Sequence, residues 1–120
     1  MGAPLLDPRV LERLAEQARE IGEHGLVAEL IECALASVGS LAEEIDAAAE
    51  VEDFARLRSR AHRMKGVLWQ IGALRMGEKA ARVEALAGAG DRSAVEASRE
   101  MNLLREQTLE ALRAHLRSLA

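Results

Sequence analysis

An all-α protein is the fold class this sequence predicts, and three observations predict it. Ala and Leu supply most of the apolar content; aromatic residues make up only 2%, with no Tyr; and apolar residues recur at steps of three and four along most of the chain. Ala and Leu are strong helix formers, whereas the β-branched and aromatic residues that suit strands are scarce. A period near 3.6 marks helices with one buried face. Short connections between helices force neighbours to run antiparallel. The expected architecture is therefore an antiparallel up-and-down four-helix bundle with an additional short N-terminal helix. A length of 120 residues suits a single domain spanning residues 1–120, able to bury roughly two-thirds of its unfolded surface without staples.

The elements follow in order. Asp7-Pro8 is a helix start, because Asp can cap and Pro fits the first helical position, where its missing N–H costs nothing. The first helix is expected from Pro8 to about Glu20, with Leu11, Leu14, Ala18 and Ile21 inward, ending at Gly22-Glu23-His24-Gly25. Val27, Ile31, Ala34, Val38, Leu41, Ile45 and Ala48 form the seam of a long second helix that continues through Gly39-Ser40. After a break at Glu50 to Asp53, Phe54, Leu57, Ala61, Met64, Leu68 and Ile71 share one stripe of the third helix. Gly72 ends or bends that helix. The fourth carries Ala73, Met76, Ala80, Val83 and Ala87 up to the turn signal Gly88-Ala89-Gly90-Asp91. Ser93-Ala94-Val95-Glu96 has capping-box spacing. It opens one last helix, with Met101, Leu104, Thr108, Leu112, Leu116 and Leu119 on its apolar face.

Several function classes are excluded early. A net charge of −4 attracts neither nucleic acid nor an anionic membrane. The single cysteine, Cys33, forbids an intrachain disulfide and suits a reducing compartment. It is expected as a small residue at the edge of the core. The first residues carry no signal-peptide or myristoylation pattern, and no window is apolar enough to span a bilayer. The cytoplasm is the expected location. There is no Walker loop, dinucleotide glycine pattern, nucleophile-elbow serine or HExxH. His24, Cys33, His62 and His115 show no metal-ligand spacing, and no metal is expected on this chain.

What remains is the third helix, around Arg58-Ser59-Arg60-Ala61-His62-Arg63-Met64-Lys65-Gly66. At about 100° per residue, His62 falls roughly 130° from the centre of the apolar stripe and faces solvent. Arg58, Lys65, Gly66 and Trp69 share its side at steps of three and four. An imidazole ordinarily titrates near about 6.5, so a neutral nitrogen is available as a nucleophile near neutral pH. Lys65, one turn away, can offset the charge of a phosphoryl group placed there. Gly66 removes side-chain bulk beside the histidine and lets a partner approach the backbone.

The wider pattern adds Asp53, nine residues before the histidine, then Ala61-His62-Arg63-Met64-Lys65-Gly66, Ile71-Gly72-Ala73, Val83-Glu84 and Gly90-Asp91. Together these resemble the histidine phosphotransfer (HPt) family of two-component phosphorelays. The likeness covers roughly residues 8–118 in helix layout and is specific from Asp53 to Asp91. Val67 and Leu68 depart from the small residues that usually follow the glycine, which points to altered packing. The resemblance implies that His62 is the phosphoacceptor and that Glu84 hydrogen-bonds its other ring nitrogen, as in the phosphotransfer domain of chemotaxis-type kinases. The alternative for Glu84 is a solvated helix carboxylate.

The resemblance also implies the partners: response-regulator receiver domains and a hybrid histidine kinase, with Mg²⁺ and an acidic pocket supplied by the receiver. Arg58, Ser59, Arg63, Gly66 and Trp69 are the expected docking residues, although Trp69 also suits the edge of the core. Arg56, Arg58, Arg60, Arg63 and Lys65 form a basic run that is either a solvated face or an attractor for that acidic pocket. The chain is expected to be a monomeric phosphocarrier without an ATP-binding kinase domain. Two alternatives stay open. One is a non-catalytic helical adaptor or scaffold using the same face; the other is a phosphotransfer domain excised from a hybrid or chemotaxis-type kinase. A Met start and a full last helix favour an independent protein.

Overall fold

Where the sequence places Asp7-Pro8, a helix begins: the Asp7 carboxylate accepts the Arg9 N–H at 3.0 Å, and Pro8 occupies the first helical position. The computed structural model describes residues 2–119, all of whose regular structure is helical. In chain order the helices are α1 (Pro8–Glu20), α2 (Leu26–Glu50), α3 (Phe54–Gln70), α4 (Leu74–Gly88), α5 (Ser93–Leu103) and α6 (Arg105–Ser118). Helix α3 packs between α2 and α4, α4 packs on α5, and α5 returns to α2; α1 and α6 also lie on α2.

The expected core stripes are the observed ones. Ile31, Val38 and Ile45 of α2, Leu57, Met64 and Leu68 of α3, and Met76 and Val83 of α4 are fully buried, with Met101 and Leu112 closing the far side. Each such side chain contributes about 1.5–3 kcal/mol by leaving water. Ala34, Ala42, Ala61, Ala80 and Ala87 are buried between them, small enough for close helix approach. Phe54 is only half-buried at the start of its stripe.

Four expectations need correction. The last helix is two segments rather than one. At Leu104 the N–H bonds back only three residues, to the Met101 carbonyl at 3.0 Å, a local tightening of the hydrogen-bond ladder. The apolar stripe runs straight across it, so periodicity alone is blind to the step. Ser93 does not cap. It is already helical, and Asp91 accepts its N–H at 2.8 Å instead. Ile21 and Leu119, assigned inward, are 67% and 45% exposed. Each follows the last residue of its helix, where the chain leaves the packed face. Cys33 is exposed rather than at the core edge.

The α3–α4 connection is held by the N-terminal segment. Gly72 turns there with φ +80°, its carbonyl accepts the Asp7 N–H at 2.8 Å, and Arg75 donates its N–H to the Pro4 carbonyl at 3.0 Å. A Cβ at position 72 would lie 2.9 Å from the Val10 Cβ and 3.0 Å from the Asp7 carbonyl. Gly72→Ala therefore combines a left-handed backbone with a steric clash. It should destabilise the protein by about 1–3 kcal/mol, seen as a lower denaturant midpoint at an unchanged slope. An unchanged midpoint would mean that the connection rearranges freely.

Candidate functional site

Helix α3 starts where Asp53 accepts the Arg56 N–H at 3.1 Å. This cap satisfies one of the free N–H groups at the start of the helix. With Ala61 and Met64 fully buried, His62 between them must turn outward, and its side chain is 66% exposed. On the adjoining face of α4, Val83 is fully buried, and the next residue, Glu84, reaches into the seam between the two helices.

The Glu84 carboxylate is occupied at both oxygens. Oε2 lies 2.7 Å from His62 Nδ1, and Oε1 lies 2.7 Å from Lys65 Nζ. Beside an ionised carboxylate, Nδ1 carries the ring proton and donates it. The neutral imidazole then keeps a bare Nε2, a nitrogen with no protein partner among the described residues. Lys65 holds the Glu84 carboxyl below the usual carboxylate range. Partial burial opposes that shift, and the His62 hydrogen bond reinforces it. The Lys65 ammonium also sits over the Trp69 ring, 5.5 Å from its centroid, within cation–π range.

The remaining sequence-predicted residues surround this trio. Arg58, Ser59, His62, Arg63 and Glu84 line one shallow depression. Arg58, Lys65 and Glu84 line a second, completed by Ala81, Ala85 and Gly88 of α4. Gly66 is exposed, and a Cβ there would meet nothing within 4 Å. Trp69 is 44% exposed, so it is neither core nor fully free. The basic run is less uniform than its sequence implies. Arg60 lies 3.3 Å from Glu44 of α2, and Lys65 is paired with Glu84, whereas Arg56, Arg58 and Arg63 make no ion pair among the described residues.

Sequence reasoning missed the α4 side of this surface. Gly77, Ala81, Glu84 and Gly88 recur at steps of four, three and four, opposite Trp69, Lys65, His62 and Arg58 of α3. Gly77 is buried against the Cδ1–Nε1 edge of the Trp69 ring, and the Arg58 side chain lies 3.4 Å from where a Gly88 Cβ would be. A run of small residues on the face of Glu84 was the available signal. It was masked because Gly88 reads equally well as part of a turn.

The described residues thus form a helical bundle bearing an exposed histidine tied to a carboxylate on the next helix. The family model described as Hpt domain matches residues 29–116, well over half of the chain, and the chain belongs to that family of phosphorelay histidine phosphotransfer proteins. Among solved structures, it is similar to the crystal structure of histidine-containing phosphotransfer protein B from Pseudomonas aeruginosa. The TM-score is 0.85 at 22% identity, with 97% of each chain covered. No curated protein sequence matches the chain. Members of the family are phosphocarriers that lack a kinase domain and work with receiver domains and kinases. No helix among the described residues is long and apolar enough to cross a membrane.

The lowered Glu84 value fixes the sign of a pH effect. The carboxyl ionises more readily folded than unfolded, so its contribution to stability is present above the ordinary glutamate value of 4.5. That contribution is lost as pH falls through the lower folded value. The Glu84 carboxyl carbon, followed by NMR, should titrate below 4.5 in the wild type. Lys65→Met should move it upward. A midpoint that ignores Lys65 would contradict the ion pair.

Proposed function

We propose that His62 is the residue that carries the phosphoryl group, with Nε2 as its nucleophile. The observation that carries this reading is the 2.7 Å contact between His62 Nδ1 and Glu84 Oε2 on an otherwise exposed ring. It commits the proton to Nδ1 and leaves the distal nitrogen unprotonated and outward. The alternative of Glu84 as a merely solvated carboxylate is disfavoured by the same contact.

In the proposed step, a receiver domain presents its phosphoaspartate in line with His62. The Nε2 lone pair forms the N–P bond while the P–O bond to the aspartate breaks, and the carboxylate leaves with that electron pair. Nδ1 keeps its proton throughout, donated in a hydrogen bond to the Glu84 carboxylate, so the ring becomes a phosphohistidine without a separate deprotonation. The reverse step returns the phosphoryl group to an aspartate on another receiver. Such transfers are governed by positioning and charge stabilisation. Lys65, one turn from His62 and held on Glu84, would offset part of the charge of the incoming phosphoryl oxygens. Mg²⁺ and the acidic pocket would come from the receiver.

Arg58, Ser59, Arg63, Gly66 and Trp69 form the proposed docking surface around His62. The free Arg58 and Arg63 guanidinium groups would face the acidic receiver pocket, and Gly66 would leave room for the partner backbone. We read the whole chain, residues 1–120, as one domain, an antiparallel four-helix bundle with α1 added. It would act as a monomeric carrier in the cytoplasm between receivers and a hybrid kinase. The adaptor reading uses the same face but needs no bare imidazole nitrogen.

His62→Gln separates the two readings. It should abolish acid-labile, alkali-stable labelling by a phosphorylated receiver and leave the melting temperature nearly unchanged, because the side chain is exposed. Continued labelling of this variant would refute His62 as acceptor. Gly66→Leu tests the docking face. With open space at its Cβ, the protein should fold as wild type yet lose most receiver binding and transfer, since in-line attack tolerates displacements of only about 1 Å. Wild-type binding would remove Gly66 from the interface.

A further inference from the structure

We infer that Gly77, on α4 and remote from His62 in sequence, is a positioning residue for the phosphoacceptor, acting through Trp69, Lys65 and Glu84. The inference rests on the reading of His62 as acceptor and extends it to a residue with no chemistry of its own. Four consecutive contacts carry it. Gly77 is buried, and a Cβ built on it would fall onto the pyrrole part of the Trp69 ring, at Cδ1 and Nε1. The Cδ1–Nε1 edge of the indole therefore lies against α4 in space that only glycine leaves open. The face of that seated ring holds the Lys65 ammonium 5.5 Å from its centroid. Lys65 Nζ in turn holds Glu84 Oε1 at 2.7 Å, and Glu84 Oε2 holds His62 Nδ1 at 2.7 Å.

Each link constrains the next. A lysine side chain has four rotatable bonds and would otherwise sweep a wide volume; the ring below and the carboxylate beside it confine it to one place. With Lys65 fixed on Oε1, the carboxylate cannot rotate away from the imidazole. Glycine is the poorest ordinary residue for a helix interior, and Gly77 sits in the first turns of α4, where the atoms nearest to an added Cβ all belong to the indole. The other small positions under this surface do not substitute for it. A Cβ at Gly88 would meet the flexible Arg58 side chain only at 3.4 Å, an ordinary contact, and Gly66 is open.

The test is a double-mutant cycle on the full chain, with ring-nitrogen NMR of His62 as the primary readout. Docking defects cannot move that signal in the free protein. Gly77→Ala should shift Trp69 fluorescence, mix the His62 tautomers and slow phosphoryl acceptance several-fold, while helicity is kept. Trp69→Ala should give the same His62 spectrum, and Trp69→Phe, which retains a ring under Lys65, should restore most of the single tautomer. In the Trp69→Ala background, Gly77→Ala should add nothing to the His62 spectrum, because the ring it would displace is gone. The inference is overturned if Gly77→Ala moves the indole but leaves the His62 tautomers as wild type, or if the two substitutions are additive. Should Gly77→Ala fail to fold, Trp69→Ala alone decides, since wild-type ring nitrogens in it break the chain of contacts. These outcomes are distinct from failure of the acceptor reading, which would appear as labelling of His62→Gln.

Discussion

One carboxylate divides its two oxygens between a lysine and a histidine, and the remainder of the surface is organised around that division. Glu84 stands on α4 while Lys65 and His62 stand on α3, so the geometry exists only when the two helices are packed in the observed register. Sliding α4 by one turn would carry the carboxylate about 5.4 Å along the helix, beyond reach of both partners. The core between them, with Ala61, Met64 and Leu68 against Met76, Ala80 and Val83, thus holds more than folding energy. It sets a distance at the surface.

This explains which parts were legible in the sequence. The buried stripes were legible because a period of three and four is imposed by burial, and nearly every stripe residue from Val27 to Ala87 is buried as expected. His62 and Gly66 were legible as exposed for the converse reason. The Leu104 step was not, because it changes a hydrogen-bond partner without changing the buried face. Ile21 and Leu119 were misplaced because a periodic pattern gives no warning of where its helix stops. The Asp91 cap was hidden by a better-looking capping box two residues later. For the site, spacing put Lys65 beside His62, whereas Glu84 came only through family resemblance. A partner on another helix leaves no local periodic trace.

Charge tells a similar story. Five cations between Arg56 and Lys65 suggest one basic patch, but neighbouring helices supply carboxylates at Glu44 and Glu84 that pair with Arg60 and Lys65. Those two pairs flank α3 on opposite sides, toward α2 and toward α4. Arg58 and Arg63 remain uncompensated beside His62, along the crest where a partner would approach. The protein is acidic overall, so the local sign around the histidine opposes the global one. At physiological ionic strength, charges act over about 8 Å. The local sign is therefore the one a group approaching His62 would meet first.

Three glycines in α3, α4 and their connection stand in three different physical situations, and their differences show how the module divides its labour. Gly72 needs a left-handed backbone and close approach of the N-terminal segment, so it serves the fold. Gly66 meets nothing where a side chain would begin; its emptiness faces outward and concerns whatever lies beyond this chain. Gly77 is the reverse case, because the space it vacates is already filled by Trp69. An exposed indole would be free to turn if it rested on side chains that could move aside. At Gly77 it meets a stretch of helix with no side chain, and Lys65, Glu84 and His62 follow from it in one line of contacts.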